Sequence, residues 1–161
     1  TKLRELNLWN NRIKDITPLR GLTRLEYLSI GMNRVEDIRA LEDLTNLTEL
    51  RVTENQISNI NALADLINLQ ELYAGENKIQ DISALEGLTQ IQVLHLYRNN
   101  ISDISVLENL TKLKLLYLYK NEISDITPLQ DLTNLEELDV TGNLVNDYSC
   151  VEFVPHLNEL P

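Results

Sequence analysis

An asparagine recurs every 22 residues from one end of the chain to the other, at Asn11, Asn33, Asn55, Asn77, Asn99, Asn121 and Asn143. A fixed period of this length belongs to stacked-repeat architectures, in which each unit buries its apolar face only against its neighbours. Aligned on that asparagine, the 161 residues divide into seven repeats beginning at Thr1, Thr23, Thr45, Ile67, Thr89, Thr111 and Thr133. They fill positions 1–154, and a partial eighth repeat covers 155–161, with Leu157 and Leu160 expected at repeat positions 3 and 6.

The fifth repeat is representative. Its apolar residues at repeat positions 3, 6, 8, 13, 16, 19 and 22 are Ile91, Leu94, Leu96, Ile101, Ile104, Leu107 and Leu110. Positions 5 to 9 alternate between inward apolar residues and variable ones, as in a half-buried strand. The asparagine follows the strand. Its amide both donates and accepts, so the whole asparagine column is expected to satisfy backbone groups where the chain turns away. Next comes Ile-x-Asp-Ile, with Pro, Ala or Val two residues later. Asp is a good N-cap, and Pro18 and Pro128 suit a first helical position. About ten residues remain for the return path, too few for a full helix, so 3₁₀ turns or irregular coil are expected on that side.

The pattern Thr-x-x-Leu-x-x-Leu-x-Leu-x-x-Asn-x-Ile-x-Asp-Ile-x-Pro-Leu-x-x-Leu resembles the 22-residue leucine-rich repeat over essentially the whole chain. The segments Asp15-Ile16-Thr17-Pro18-Leu19, Asp81-Ile82-Ser83-Ala84-Leu85 and Asp125-Ile126-Thr127-Pro128-Leu129 are similar to the bacterial internalin-like subfamily. The resemblance implies an α/β-class, right-handed solenoid with a parallel sheet on its concave face. It also implies a secreted or bacterial cell-surface protein that binds a host receptor or adheres to cells. A cytoplasmic scaffold, similar to the phosphatase-regulatory leucine-rich repeat proteins, and a structural spacer are the alternatives.

The array is uninterrupted, so a single domain is expected. No run of about 18 apolar residues occurs, and no membrane-inserted segment is expected. Solenoids need end caps with a polar outer face. Neither end reads as one, so the chain is expected to be part of a longer protein, monomeric, with end-to-end association open to it if its ends are bare. The single cysteine, Cys150, reads as a buried small hydrophobe.

The net charge of −11 says little about partners. Repeat positions 5, 7, 9, 10 and 12 make the strand face and its rim. They hold eight acids (Glu5, Glu49, Glu54, Glu71, Glu76, Glu122, Glu137, Asp139) against six bases (Arg12, Arg34, Arg51, Lys78, Arg98, Lys120). Most of the excess acid therefore falls elsewhere, in the Asp column and nearby solvated positions. A nucleic-acid partner is disfavoured because phosphate contacts need a basic footprint that this face lacks.

The aromatic residues are more informative. Of eight Phe, Trp and Tyr residues, six occupy outward positions 5, 7 or 9: Trp9, Tyr27, Tyr73, Tyr97, Tyr117 and Tyr119. Tyr73, His95 and Tyr117 share a position in consecutive repeats, and Tyr97 and Tyr119 share another. Val93 and Leu115 form an apolar column where other repeats mostly carry Glu, with Arg98 and Lys120 on the rim. Strands about 4.8 Å apart should turn these columns into ladders. Tyr, Trp and Arg dominate binding hot spots, and an exposed apolar cluster marks an interaction site. The expected site for a protein partner is therefore Trp9, Tyr27, Arg51, Tyr73, Val93, His95, Tyr97, Arg98, Leu115, Tyr117, Tyr119 and Lys120. Mutual stacking that only stiffens the sheet is the competing reading. His95, between two tyrosines, is also a candidate for titration near neutral pH.

Catalysis is not expected. The two histidines are 61 positions apart, the five glycines look scattered, and no His/Cys metal cluster is present. Glu49 and Glu71 are neighbours through the repeat itself. No cofactor or metal is expected.

Overall fold

The computed structural model describes residues 2–158. Thr1 and Leu160, which the alignment places in the first and eighth repeats, lie outside the described residues. The chain winds into one parallel sheet of eight strands in sequential order: β1 (Glu5–Asn7), β2 (Tyr27–Ser29), β3 (Glu49–Arg51), β4 (Glu71–Tyr73), β5 (Val93–His95), β6 (Leu115–Tyr117), β7 (Glu137–Asp139) and β8 (His156–Asn158). The sheet lines the concave side of a right-handed solenoid. The opposite side is built from short 3₁₀ turns at Thr17–Leu19, Arg39–Leu41, Asn61–Leu63, Ser83–Leu85, Ser105–Asn109, Thr127–Leu129 and Ser149–Val151.

Alternation along the strand decides which side chains enter the core. Leu28, Leu50, Leu72, Leu94, Leu116 and Leu138 are wholly buried, and so are Ile30, Val52, Ala74, Leu96, Leu118 and Val140 two residues on. Each buried leucine stabilises the stack by about 2 kcal/mol. The equivalent Leu6, Leu8 and Ile13 of the first repeat are only half-buried, because no described repeat packs on their outer side.

The strands are shorter than the expected positions 5 to 9, spanning positions 5 to 7 only. Backbone bonding nevertheless continues past them, with Val52 N–H on Tyr73 O at 2.8 Å and Glu54 N–H on Gly75 O at 3.0 Å. Strand geometry stops at position 10, where the backbone swings into the left-handed region in every repeat: Asn10, Met32, Glu54, Glu76, Arg98 and Lys120 have φ of 51° to 57°, and Gly142 has 67°. This bend turns carbonyls onto the asparagine that follows. In the third repeat, Asn55 Nδ2 donates to Ile30 O (3.0 Å), Val52 O (3.0 Å) and Thr53 O (3.3 Å), while its Oδ1 accepts the Val35 N–H (2.9 Å). From Asn33 to Asn143 each such side chain ties its own turn to the preceding repeat.

Three details of the convex side and the last repeats correct the sequence reading. The residue capping the first six 3₁₀ turns is the isoleucine, as at Ile16, and Tyr148 takes its place at the seventh; no side chain makes a capping hydrogen bond at either. Asp15 sits one residue earlier and accepts the Thr17 N–H at 2.8 Å, an Asx turn, because a short carboxylate reaches the amide two residues ahead. Pro18 accordingly takes the second position of its turn. Cys150 is half-buried rather than buried: it packs against the edge of the core and its Sγ lies 3.5 Å from Ile126 O. Finally, Leu157 pairs with Leu138 rather than falling three positions earlier in the repeat, and His156 pairs with Glu137. The chain passes from Val154 to β8 without the usual Thr-x-Leu turn. That shorter route lays Leu157 at once over the open edge of β7.

The Asx turns carry an expectation about acid stability. The backbone N–H two residues ahead holds the carboxyls of Asp15, Asp81, Asp103, Asp125 and Asp147 below their ordinary value. Asp37 is held at about 2, first by the Arg39 side chain and then by the Arg39 N–H. A carboxyl with a depressed folded pKa contributes stability that is complete above its unfolded value and lost as pH falls through the folded one. The contribution of these turns to stability should therefore hold down to about pH 4 and decline from there toward pH 2. Asn59 makes the same contact to the Asn61 N–H at 2.8 Å without a titrating group. An Asp103→Asn variant should decline less over that interval; an identical decline would place the acid sensitivity elsewhere.

Candidate protein-binding face

Strand register turns the outward positions into columns. At position 7, Arg51 pairs with Tyr73, Tyr73 with His95, His95 with Tyr117, and Tyr117 with Asp139. Arg51 lies 4.2 Å over the Tyr73 ring. Tyr73 meets His95 edge-on at 4.7 Å, and His95 meets Tyr117 at 4.4 Å. At position 9, Tyr97 and Tyr119 stack at 4.6 Å with planes 3° apart, and His95 bridges the two columns, 6.2 Å from Tyr97. Val93 and Leu115 pair at position 5. The result is a continuous half-buried platform across β4, β5 and β6.

Acids that look like background in the sequence position these rings. The Tyr73 hydroxyl donates to Glu71 Oε2 at 2.7 Å, and the Tyr117 hydroxyl donates across the strand gap to Glu137 Oε1 at 2.7 Å. Arg51 is held in turn by Glu49. Burial, and then the Glu71 carboxylate, push the Tyr73 phenol up to about 12. For Tyr117 the Glu137 hydrogen bond comes first and burial second, again to about 12. Burial also raises Tyr97 and Tyr119. The phenols therefore stay neutral at the centre of the platform, and the Glu71 and Glu137 carboxylates beside them are each engaged by a hydroxyl.

Two of the five glycines are not scattered. Gly31 and Gly75 occupy position 9, the column of Trp9, Tyr97 and Tyr119. A methyl group built on Gly75 would lie 2.5 Å from Tyr97 Cζ, and one on Gly31 would run into the Trp9 ring. Aligning the position-9 residues as a column would have exposed this pairing of aromatic with glycine.

Not every expected residue joins the platform. Trp9, 40% exposed, follows β1, four strands and about 19 Å from β5 at ordinary strand spacing, and leans on Gly31. Tyr27 lies at position 5 between Glu5 and Glu49. Arg98 stays on the rim, 4.0 Å from Glu76, and Lys120 lies exposed beside it. A groove of about 620 Å³ lies on the convex side, lined by Asp37, Arg39, Asn59 and Asp65, away from these rings. Among the described residues no cluster of His, Cys, Asp or Glu is arranged to hold a metal ion, and no helix is long and apolar enough to cross a membrane.

His95 does not titrate near neutrality. Burial between the tyrosines, and then Arg51, lower it to about 4, against the weaker opposing pull of Glu137 and Glu71. Its imidazole resonances are expected to titrate with a midpoint near pH 4 and to stay flat between pH 8 and 6. Because the unfolded chain takes up this proton first, stability should fall as pH drops from about 6.5 toward 4. A midpoint above 6 would show the ring to be solvated.

The Leucine Rich repeats (2 copies) family profile matches residues 1–43, 23–65, 67–110 and 111–153. Among solved structures, an internalin (InlF) of Listeria monocytogenes superposes with a TM-score of 0.94 at 36% identity, covering 98% of this chain and 47% of that one. Internalin C2 of the same organism superposes at 0.92 and 35% identity, covering 98% and 71%. The chain thus spans about half the length of the first relative and about seven-tenths of the second. The leucine-rich-repeat ectodomain of the Arabidopsis thaliana receptor kinase GASSHO1/SCHENGEN3, solved in complex with CASPARIAN STRIP INTEGRITY FACTOR 2, superposes at 0.84 and 26% identity, covering 98% of this chain and 20% of that one. No curated protein sequence matches the chain.

Proposed function

The chain belongs to the leucine-rich repeat family, within which it resembles the internalins, and from that premise we propose that its concave face binds a protein partner through the platform centred on His95. The observation that carries this reading is the convergence of Tyr73, His95, Tyr97, Tyr117 and Tyr119 with their polar tethers already engaged. Fixed aromatic groups supply large contact area at little further cost in side-chain entropy. Arg51 extends the platform, Val93 and Leu115 give it an apolar shoulder, and Arg98 and Lys120 border it. A partner surface that is mainly apolar and uncharged, with backbone amides for the free hydroxyl and imidazole edges, fits best. A sugar is a poorer fit, because the Tyr97 and Tyr119 faces are already taken up by each other. Trp9 and Tyr27 are a secondary contact for a partner long enough to span several repeats.

The likeness to the internalins supports a secreted or surface bacterial role, with a host-cell protein as the partner, over a cytoplasmic scaffold. The deciding experiment is capture with the native chain and with a Tyr97→Ala/Tyr117→Ala/Tyr119→Ala variant, from host-surface extract and from lysate of the source cells in parallel. A host-surface protein lost with the variant supports the adhesin. A selective partner from the source lysate moves the function to an intracellular scaffold. Equal capture by two equally folded proteins would sink the platform as a binding site and favour a spacer.

A further inference from the structure

We infer that Gly75 is the positioning residue of the platform: its missing side chain is the seat on which the Tyr97 ring lies flat, and this seat holds Tyr97 against Tyr119. The inference rests on the binding role above for its functional meaning. It stands on geometry of its own.

Gly75 is buried at position 9 of the fourth repeat. A Cβ there would lie 2.5, 2.6 and 2.7 Å from Tyr97 Cζ, Cε1 and Cε2. Three ring atoms at nearly equal distance mean that the face of the ring, not its edge, covers the glycine. The opposite face stacks on Tyr119 at 4.6 Å, so Tyr97 is held between the backbone of β4's repeat and its neighbour's ring. The backbone does not call for glycine here. The left-handed glycines are Gly21 and Gly142, not Gly75, and Thr53 and Thr141 occupy the same position in other repeats. Glycine inside a sheet is otherwise a weakness, so its presence marks a close approach. Gly31 beneath Trp9 repeats the device in the same column.

The consequence is a platform set before any partner arrives. With a side chain at position 75, Tyr97 would have to lift away from the sheet, and the paired rings would become a ridge with free rotation.

The test is Gly75→Ala. The clash is with the far end of a rotatable side chain, so the ring should swing out while the fold survives; alanine in an extended backbone also restricts the unfolded chain and offsets lost contact. With tyrosine rings isotope-labelled, the Tyr97–Tyr119 inter-ring contacts seen by NMR are expected to disappear. The Tyr97 phenol, raised by burial in the native chain, is expected to titrate closer to its ordinary value. Gly31→Ala serves as the control: emission from Trp9, the single tryptophan, should shift while the tyrosine pair stays intact. Unchanged inter-ring contacts in Gly75→Ala, or their equal loss in Gly31→Ala, would overturn the assignment. If Gly75→Ala melts far below the native chain, Gly75→Ala/Tyr97→Ser must restore the fold, since relief of the contact is then the whole effect; failure to restore it also overturns the assignment. These readouts come from the free protein, so they decide the role of Gly75 whether or not the capture experiment finds a partner.

Discussion

Asn99→Ala is expected to destabilise the array by about 3 kcal/mol in denaturant unfolding, as follows from orphaning more than one buried backbone group. Asn99 is 7% exposed. Its Nδ2 donates to Ala74 O (3.1 Å), Leu96 O (3.0 Å) and Tyr97 O (3.3 Å), and its Oδ1 accepts the Ile79 N–H (2.9 Å). Alanine leaves the Ile79 amide and the Ala74 and Leu96 carbonyls without these partners in a dry interior that water cannot easily re-enter. The effect should be graded along the column. Asn77 makes the same four contacts from a half-buried site and should cost less. Asn11 is exposed and reaches only Leu8 O and Trp9 O of its own turn, so Asn11→Ala should fall within about 0.5 kcal/mol of the native chain. Equal losses at Asn11 and Asn99 would mean that coupling between repeats does not run through the asparagines.

For the captured partner, Tyr97→Ala and Tyr117→Ala should each weaken binding by about 2 kcal/mol, or about 30-fold, with only a small change in melting temperature. Both rings are partly exposed, so truncation removes contact area from the face rather than volume from the core. Their effects should not add, because both rings touch His95 and neighbours that share a contact are coupled. Glu137→Gln should give a smaller loss than Tyr117→Ala, since it weakens the tether at Glu137 Oε1 but leaves the ring in place. Parallel losses of binding and stability in the tyrosine variants would instead assign the ladder to stiffening the sheet.

The periodic part of this molecule was legible because every repeat poses the same packing problem. Leu94 and Leu116 had to stack, and the residues flanking them had to face outward in register. His95 therefore had to lie between Tyr73 and Tyr117. What depends on side-chain reach was not legible. Glu137 finding the Tyr117 hydroxyl is a contact across strands, and Gly75 acquires meaning only from the neighbouring ring. His95 owes its low pKa to the depth at which two tyrosines enclose it, which spacing does not specify. The left-handed bend at position 10 was hidden because Met32, Glu54 and Arg98 stand where glycine or asparagine would have signalled it. The register of Leu157 was missed because a strict 22-residue frame has no place for a shortened turn.

That bend has a consequence for how the surface can be rewritten. Six residues other than glycine hold φ near 55° at one position, so the conformation is imposed by the strand before it and the asparagine after it, whatever side chain stands between. The same independence holds for the outward strand positions, whose neighbours above and below are set by register alone. The proposed recognition surface is therefore written in a script separate from folding, and it is portable. Transplanting Val93, His95 and Tyr97 with Leu115, Tyr117 and Tyr119 onto another adjacent pair of strands, together with a glycine on the side of the first tyrosine, would move the platform along the solenoid in strand-sized steps and leave the core unaware of the edit.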